Sequence, residues 1–465
     1  MSQLIDGSAK ALRAAFTGEV IAPGDAAYDG ARAIWNGAID RRPAVVARCT
    51  TAQHVGEAIG FARRTSLEIS VRGGGHNFAG LAVGDDGLMI DLSAMNAVSV
   101  DPEARRARCG GGATWADLDG TAQLHALGVP GGFISHTGIA GLTLGGGMGW
   151  LTRRHGLSCD NLVGAEVVTA AGRVLTASAT ENPDLFWALR GGGGNFGVVT
   201  EFEFELHPVG PMVELGLFFW PAEQGREALA LMRTVCDSVP PAIASFIGGM
   251  SLPPAPWVPE ALHGATGFAL LLADFEGGTA LADTAASVRA AQHPLVEMVT
   301  PIPYVELQRM FDAGVPWGVH AYEKAIYLDS LSDAAIEVIT EHLPRKASPL
   351  SFMPTFMLEG AYTTPGQMDT AFGGERRRCV NVNLSAVAPV PELYEPERAW
   401  VRSFWDALRP HARNAGSYVN FMSEYEGDRV AAAYGPEKYA RLATIKAEYD
   451  PENLFHRNMN IPPAS

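Results

Sequence analysis

The residues best placed to do chemistry cluster around glycine. A strand-like LEISVR runs into RGGGHN (72–77), where Arg72 precedes three glycines and His76 and Asn77 follow them. Without side chains, Gly73, Gly74 and Gly75 let successive backbone N–H groups converge on a phosphate oxygen, and Arg72 adds positive charge. The same run is compatible with a tight surface loop carrying an incidental histidine. A second segment, GIAGLTLGGGMGWLTRRHGLSCDNL (138–162), shifts that balance. Repeated glycine weakens any ordinary helix or strand, so this run reads as backbone packed closely against a flat ligand. Two such loops in one domain predict a single large phosphorylated cofactor. A third run, GGGGNFG (191–197), contains a formal GxGxxG at Gly192, Gly194 and Gly197. A dinucleotide fingerprint of that form joins a strand to a following helix. Here helix-like NPDLFWALR precedes the glycines and strand-like VVTEFEFEL follows, so the order is wrong for a nicotinamide cofactor.

The elements that must position these loops alternate between helix and strand. Thr50 and Gln53 make a capping-box pattern ahead of Val55, Ala58, Ile59 and Ala62, which share one helical face. LEISVR and GLMIDLS read as strands, and ADLDGTAQLHALG reads as a helix closed by Gly128. AEVVTAAGRVLTAS is expected to be a hairpin turning at Ala171-Gly172. ENPDLFWALRGG is a short helix with Pro183 near its start. Phe202, Phe204 and Leu206 alternate with Glu201, Glu203 and Glu205, as in a strand with one buried face. Beyond about residue 210 the glycine runs cease. Strands such as VELGLFFW, GFALLLADF, EKAIYLDSL, SFMPTFML and CVNVNLSAV then interleave with the amphipathic helices REALALMRTVCDSV, TALADTAASVRAAQ and SDAAIEVITEHL. That pattern predicts an antiparallel sheet covered by helices on one face, an α+β arrangement. A last helix, GPEKYARLATIKAEYD, leads into PENLFHRNMNIPP.

Composition narrows the function classes. At 465 residues, 47% hydrophobic and 18% charged, with a mean hydropathy of +0.05, the chain is too apolar for disorder and long enough for two or three domains. The net charge of −16 argues against nucleic acid and anionic membrane as partners. Apolar runs such as GFALLLADF are too short to cross a bilayer, and MSQLIDGSAKALRAAFTGEV lacks the long apolar core of a signal peptide. Cys49, Cys109, Cys159, Cys236 and Cys379 form no CxxC pair and no metal-like cluster. A cytoplasmic protein without disulfides or a bound metal is expected.

Taken together, RGGGHN, GIAGLTLGGGMGWLTRRHGL, NPDLFWALRGGGGNFGVVTEFEF and YDPENLFHRNMNIPP resemble bacterial FAD-linked oxidases of the berberine bridge enzyme type. These belong to the vanillyl-alcohol oxidase superfamily, with its PCMH-type FAD-binding domain. The resemblance covers most of the chain and is strongest over 40–210 and 415–463. It implies FAD bonded through His76 to the flavin 8α-methyl group, with Arg72, Gly73, Gly74, Gly75 and Asn77 around the pyrophosphate. The segment from His136 to Gly147, with Thr137, Gly138, Ala140, Gly141 and Gly146, would run along the ribityl chain and ring system. Val198 and Val199 would approach the cofactor through their backbones, and Asn458 and Asn460 match a terminal NxN that returns to the flavin. Many members carry a second link from a cysteine just ahead of the glycine-rich segment. Phe133, Ile134, Ser135 and His136 stand there in this chain, so a single histidyl link is expected, with Cys159 read as a small buried hydrophobe.

Tyr418, in SYVNF, matches a family tyrosine proposed as base or substrate orienter, and Asn420 would shape the same pocket. A free phenol titrates near 10, so a basic role requires a lowered pKa or a polarising neighbour. Glu359 and Tyr362, in LEGAY, are candidates for the substrate pocket, and the charges at 375–378 read as a solvated turn. The implied architecture is a discontinuous FAD-binding domain, 1–210 and 410–465, with a substrate-binding α+β domain at 211–409. The implied activity is hydride transfer from an alcohol, amine or activated ring C–H of a small molecule to flavin N5, with reoxidation by O2 to hydrogen peroxide. Two alternatives stay open: a flavin dehydrogenase using another electron acceptor, and a flavoprotein that sequesters an aromatic compound.

Overall fold

The computed structural model describes residues 2–414, 416–424 and 427–465. Its first sheet has four strands, β1 (Glu19–Ile21), β2 (Val45–Arg48), β3 (Ile69–Arg72) and β4 (Leu88–Asp91), in the order β1-β2-β4-β3. β4 runs parallel to both β2 and β3, and the helix Ala52–Thr65 crosses between β2 and β3. The second sheet is antiparallel: β5 (Val98–Asp101), β6 (Arg106–Gly110), β8 (Leu162–Val168), β9 (Val174–Ser178) and β10 (Val198–Glu205), in the order β5-β6-β10-β8-β9. A short ribbon pairs β7 (Leu127–Gly128) with β11 (His207–Pro208).

The third sheet holds seven antiparallel strands, all between 212 and 388: β12 (Met212–Pro221), β13 (Ile243–Ser251), β14 (Thr266–Asp274), β15 (Val296–Pro303), β16 (His320–Leu328), β17 (Met353–Leu358) and β18 (Cys379–Ala388). Their order is β15-β12-β14-β13-β17-β18-β16. The central strands are buried on both faces, which is why they read as unbroken apolar runs. Phe218, Trp220, Phe268, Leu270 and Leu272 pack under the helices Gly225–Ser238, Ala280–Ala291, Asp333–His342 and Tyr394–Leu408. Leu215, Leu217, Phe246, Leu271 and Phe356 point the other way and join the core of the second sheet. The fold is α+β, as the alternation of elements predicts.

Two local expectations need correction. The first cap is Thr51, whose hydroxyl accepts the His54 N–H at 3.2 Å, because the helix starts at Ala52. The helix after CGGGAT runs from Trp115 to Ala122 with a capping box between Thr114 and Asp117. It ends through a tight turn at Gln123–His125 and a left-handed Ala126 (φ 52°), while Gly128 enters β7 instead. Hydrogen bonds between Thr169, Gly172 and Arg173 make the hairpin turn where it is expected. Among the described residues, no helix is long and apolar enough to cross a membrane, and no group of His, Cys, Asp and Glu is arranged to hold a metal ion.

Candidate active site

One cavity of about 340 Å³ lies where all these parts meet. The loop leaving β3, the glycine-rich segment after Gly131 and the turn before β10 form one end. The seven-stranded sheet and the C-terminal segment form the other. Gly73, Gly74, Gly75, His76, Asn77, Thr137, Gly138, Ala140, Gly141, Val198, Val199, Asn420 and Asn458 all line it, so residues up to 385 positions apart in sequence share one wall.

The wall has the properties a phosphorylated cofactor needs. Among the described residues, no backbone N–H from Gly73 to His76 is donated to another backbone carbonyl, leaving consecutive donors unspent beside the cavity. Cβ atoms added to Gly141 or Gly194 would meet nothing within 4 Å, so both positions open onto the space itself. Asn458 donates through Nδ2 to the carbonyls of Gly194 (3.1 Å) and Phe455 (2.9 Å), while its Oδ1 has no partner among the described residues. Asn460 Oδ1 is likewise buried and unpaired, although Asn460 is not on the wall. Open glycines, unspent N–H groups and the orphaned amide oxygen of Asn458 fit FAD.

His76 sits in an aromatic slot. Trp35 stacks on its ring at 5.0 Å and 17°, and the edge of Trp317 stands 5.9 Å away. Its Nε2 lies 2.7 Å from Nδ1 of His136, one ring donating and the other accepting. Burial, reinforced by the neighbouring imidazole, pushes the His76 pKa well down, so the ring is neutral and keeps a nitrogen lone pair. His136 is set by Ser135, whose N–H and hydroxyl both bond to Asp312 at 2.8 and 2.6 Å. Burial lowers the His136 pKa and Asp312 opposes that shift.

Several expected residues stand behind the wall. Arg72 donates one guanidinium N–H to the Ala31 carbonyl at 2.6 Å, its Nε has no partner among the described residues, and it does not line the cavity. Gly146 has φ +129° and packs against Phe372 and Tyr418. Tyr418 is also behind the wall, its hydroxyl accepting from the Gly147 N–H (2.7 Å) and Asn420 Nδ2 (2.8 Å). Those two donors favour a phenolate, but burial outweighs them and raises the pKa above its ordinary value. The geometry therefore makes Tyr418 a post that fixes the 145–147 turn and aims Asn420, whose Nδ2 also bonds the Leu142 carbonyl at 2.9 Å. Cys159 is fully buried off the wall, and burial raises its thiol pKa.

Glu359 and Tyr362 do not reach the cavity. Glu359 is held by Arg153 (3.1 Å) and Arg378 (2.9 Å), and the Tyr362 hydroxyl donates to the Glu375 carbonyl at 2.7 Å. The 375–378 turn is not uniformly solvated either, because Arg376 is buried in a bidentate pair with Asp160 at 2.9 and 2.6 Å. The polar side chains that line the cavity from the large sheet are Glu323, Asn383 and Ser385, with Phe246, Phe352 and Phe356 also on the wall. Their signal was in CVNVNLSAV: Asn381, Asn383 and Ser385 alternate with Val380, Val382 and Leu384, marking a polar face on a buried strand.

Comparison with known proteins agrees with this geometry. Residues 43–178 match the family described as FAD binding domain, and residues 417–462 match that described as berberine and berberine like. The chain is 33% identical to (R)-6-hydroxynicotine oxidase of Paenarthrobacter nicotinovorans, over 96% of this chain and 97% of that one. A crystal structure of 6-hydroxy-D-nicotine oxidase from Arthrobacter nicotinovorans superposes with a TM-score of 0.82 at 30% identity, covering 97% and 98% of the two chains. Chitooligosaccharide oxidase has the same fold, with a TM-score of 0.85 at 22% identity over 99% of this chain and 100% of that one. With a cofactor wall built from glycine and a terminal segment closing over it, this protein belongs to the berberine bridge enzyme-like FAD-linked oxidoreductases of the vanillyl-alcohol oxidase superfamily.

Proposed function

We propose that this FAD-dependent oxidoreductase is an oxidase with a single covalent flavin link through His76, acting on a small organic substrate. The observation that carries the reading is the continuity of the cavity, which joins unspent N–H groups and open glycines at one end to an aromatic chamber with a polar sheet face at the other. What FAD supplies when bound is a hydride acceptor for a substrate C–H on an alcohol, amine or activated ring, with O2 as final acceptor and hydrogen peroxide as product. The chain does the rest. His76 holds a neutral ring nitrogen on the wall, His136 fixes that ring, and Trp35 sets its plane. Gly141 and Gly194 leave room for a flat group at backbone distance. Tyr418 keeps its proton and holds Asn420 toward the cavity, while the phenylalanines exclude water from the reacting C–H. The FAD-binding unit would comprise 1–210 and 410–465, and 211–409 would supply the substrate side.

Two measurements test this. After acid denaturation the yellow colour should stay with the polypeptide, and His76→Ala should release it. Free FAD from the unmodified protein removes the covalent link. Anaerobic screening of alcohols, sugars, amines and phenols should find a substrate that bleaches the flavin, with one peroxide per substrate on readmitting air. Bleaching without peroxide would make the protein a dehydrogenase, and failure of every compound to bleach would favour sequestration.

A further inference from the structure

Among the described residues, one acidic side chain, Glu323, lines the substrate end of the cavity. Glu323 projects from β16, the edge strand of the seven-stranded sheet, and is only 2% exposed. Opposite it on β18 stand Ser385, its direct partner in register, and Asn383, which pairs with Ala325. Both donate to the same carboxyl oxygen, Oε1: Asn383 through Nδ2 and Ser385 through its hydroxyl. Among the described residues, the other oxygen, Oε2, has no hydrogen-bond partner, nor has Asn383 Oδ1. A carboxyl clamped on one oxygen and unspent on the other is oriented without being satisfied.

Its surroundings say what would satisfy it. Burial pushes the Glu323 carboxyl up to about 8, and the hydrogen bonds from Ser385 and Asn383 pull the other way. The charged groups nearest in sequence belong elsewhere. Tyr322, Arg402 and Glu424 form one cluster, and Lys324 lies 4.5 Å over the Trp405 ring on the helix-covered side. From the C-terminal segment, Ser423 accepts the Glu323 backbone N–H at 2.7 Å, which docks the stretch carrying Tyr418 and Asn420 against this strand. Around the cavity, the ring of Phe356 lies 5.1 Å from Phe133, 5.7 Å from Phe246 and 5.8 Å from Phe421. Aromatic faces attract a cation and give no hydrogen bond to an anion. A carboxylate in this chamber is stable only when an opposite charge arrives with the ligand.

We propose that Glu323, clamped by Asn383 and Ser385, anchors a protonated nitrogen of the substrate, so that the chain selects an aryl-substituted amine over the corresponding alcohol. This rests on the reading of the cavity as the substrate chamber of a flavin oxidoreductase, and it names the substrate class. The anchor also prepares the chemistry. An ammonium cannot lose hydride from the adjacent carbon, because its nitrogen has no lone pair. Transfer of the N–H proton to Oε2 breaks one N–H bond and forms one O–H bond, leaving a neutral amine and a neutral acid. With FAD bound as the hydride acceptor, the freed lone pair would become the C=N bond, leaving the substrate as an iminium cation. Charge is balanced throughout, and the acid holds the proton until product departs. An alcohol can only share a hydrogen bond with this acid and brings no charge to ionise it.

The test uses the purified protein with benzylamine and benzyl alcohol as probes, which share a ring and differ in the charged group. Binding is read by calorimetry, with no need for turnover or colour. Benzylamine should bind at least tenfold more tightly than benzyl alcohol. Glu323→Gln should abolish that ratio by weakening benzylamine alone, and Ser385→Ala should reduce it less. Should Glu323→Gln fail to fold, Asn383→Leu removes half of the clamp and should lower the ratio severalfold. Equal affinities in the unmodified protein, a ratio unchanged in these variants, or no benzylamine binding would each overturn the proposal. A colourless protein would instead refute the flavin reading, while the probe ratio would still report on Glu323.

Discussion

Two sets of glycines look alike in the sequence and serve opposite ends in the fold. In CGGGATW the neighbours of each glycine are the protein itself. A Cβ on Gly110 would lie 2.0 Å from the Met95 carbonyl oxygen, one on Gly111 2.4 Å from that of Val199, and one on Gly112 1.8 Å from that of Leu92. At Gly141 and Gly194 there is no neighbour within 4 Å, and both line the cavity. The first set is required by backbone meeting backbone, the second by room left for something else. Two buried charges show a similar contrast. Lys446 is fully spent on Asp450 (2.6 Å) and on the carbonyls of Asn195 (2.7 Å) and Phe455 (3.0 Å), whereas Glu323 keeps one oxygen unpaired.

The contrast can be broken at its strongest point first. Gly112→Ala drives a methyl into a carbonyl oxygen that cannot move without shifting β4's exit. A loss of about 4 kcal/mol or more is expected, seen as loss of folded protein in thermal unfolding. A mild effect there would mean that these glycines also serve the ligand.

Glu323→Gln has the next largest effect, and its sign depends on pH. The unfolded carboxyl releases its proton near 4.5, the folded one near 8. Below 4.5 both states are protonated and the stability is complete. Between the two values stability falls as pH rises, at up to roughly 1.4 kcal/mol per pH unit, and it levels off above the folded value. Glutamine has no such titration, so the variant should gain on the unmodified protein across that window, as thermal melts in matched buffers would record. Parallel melting curves at all pH values would remove the buried acid from the account.

Gly141→Ala should have the smallest effect on folding and the most selective one on function. Gly141 lies within the helix Ile139–Leu144, where alanine is favoured by about 1 kcal/mol. The apoprotein should melt at the same temperature or slightly higher, while the flavin-to-protein ratio after purification drops. Full flavin content in this variant would place the cofactor away from the 141 position.

Much of the arrangement is legible in the sequence. The alternation of Phe202, Phe204 and Leu206 with glutamates, the strand-loop order at RGGGHN, and the helix-then-strand order around GGGGNFG are local properties, and local patterns survive folding. The substrate side was not legible in the same way. Glu359 and Tyr362 stood in a promising motif, yet arginine partners and a backbone carbonyl claim them. Tyr418 matched a family position, yet its place behind Val419 and Asn420 depends on how the C-terminal segment lies along β16.

The order of residues settles chemistry of short range: where a backbone can bend, which strand face is polar, and which histidine follows a donor-rich loop. Register decided the rest. Glu323 and Ser385 are 62 residues apart and meet because β16 and β18 pair in that alignment; a slip by one residue would turn either side chain onto the helix-covered face. Whether a glycine is filled by a carbonyl or left open is settled by packing between distant segments, and a single chain of letters does not encode that distance directly.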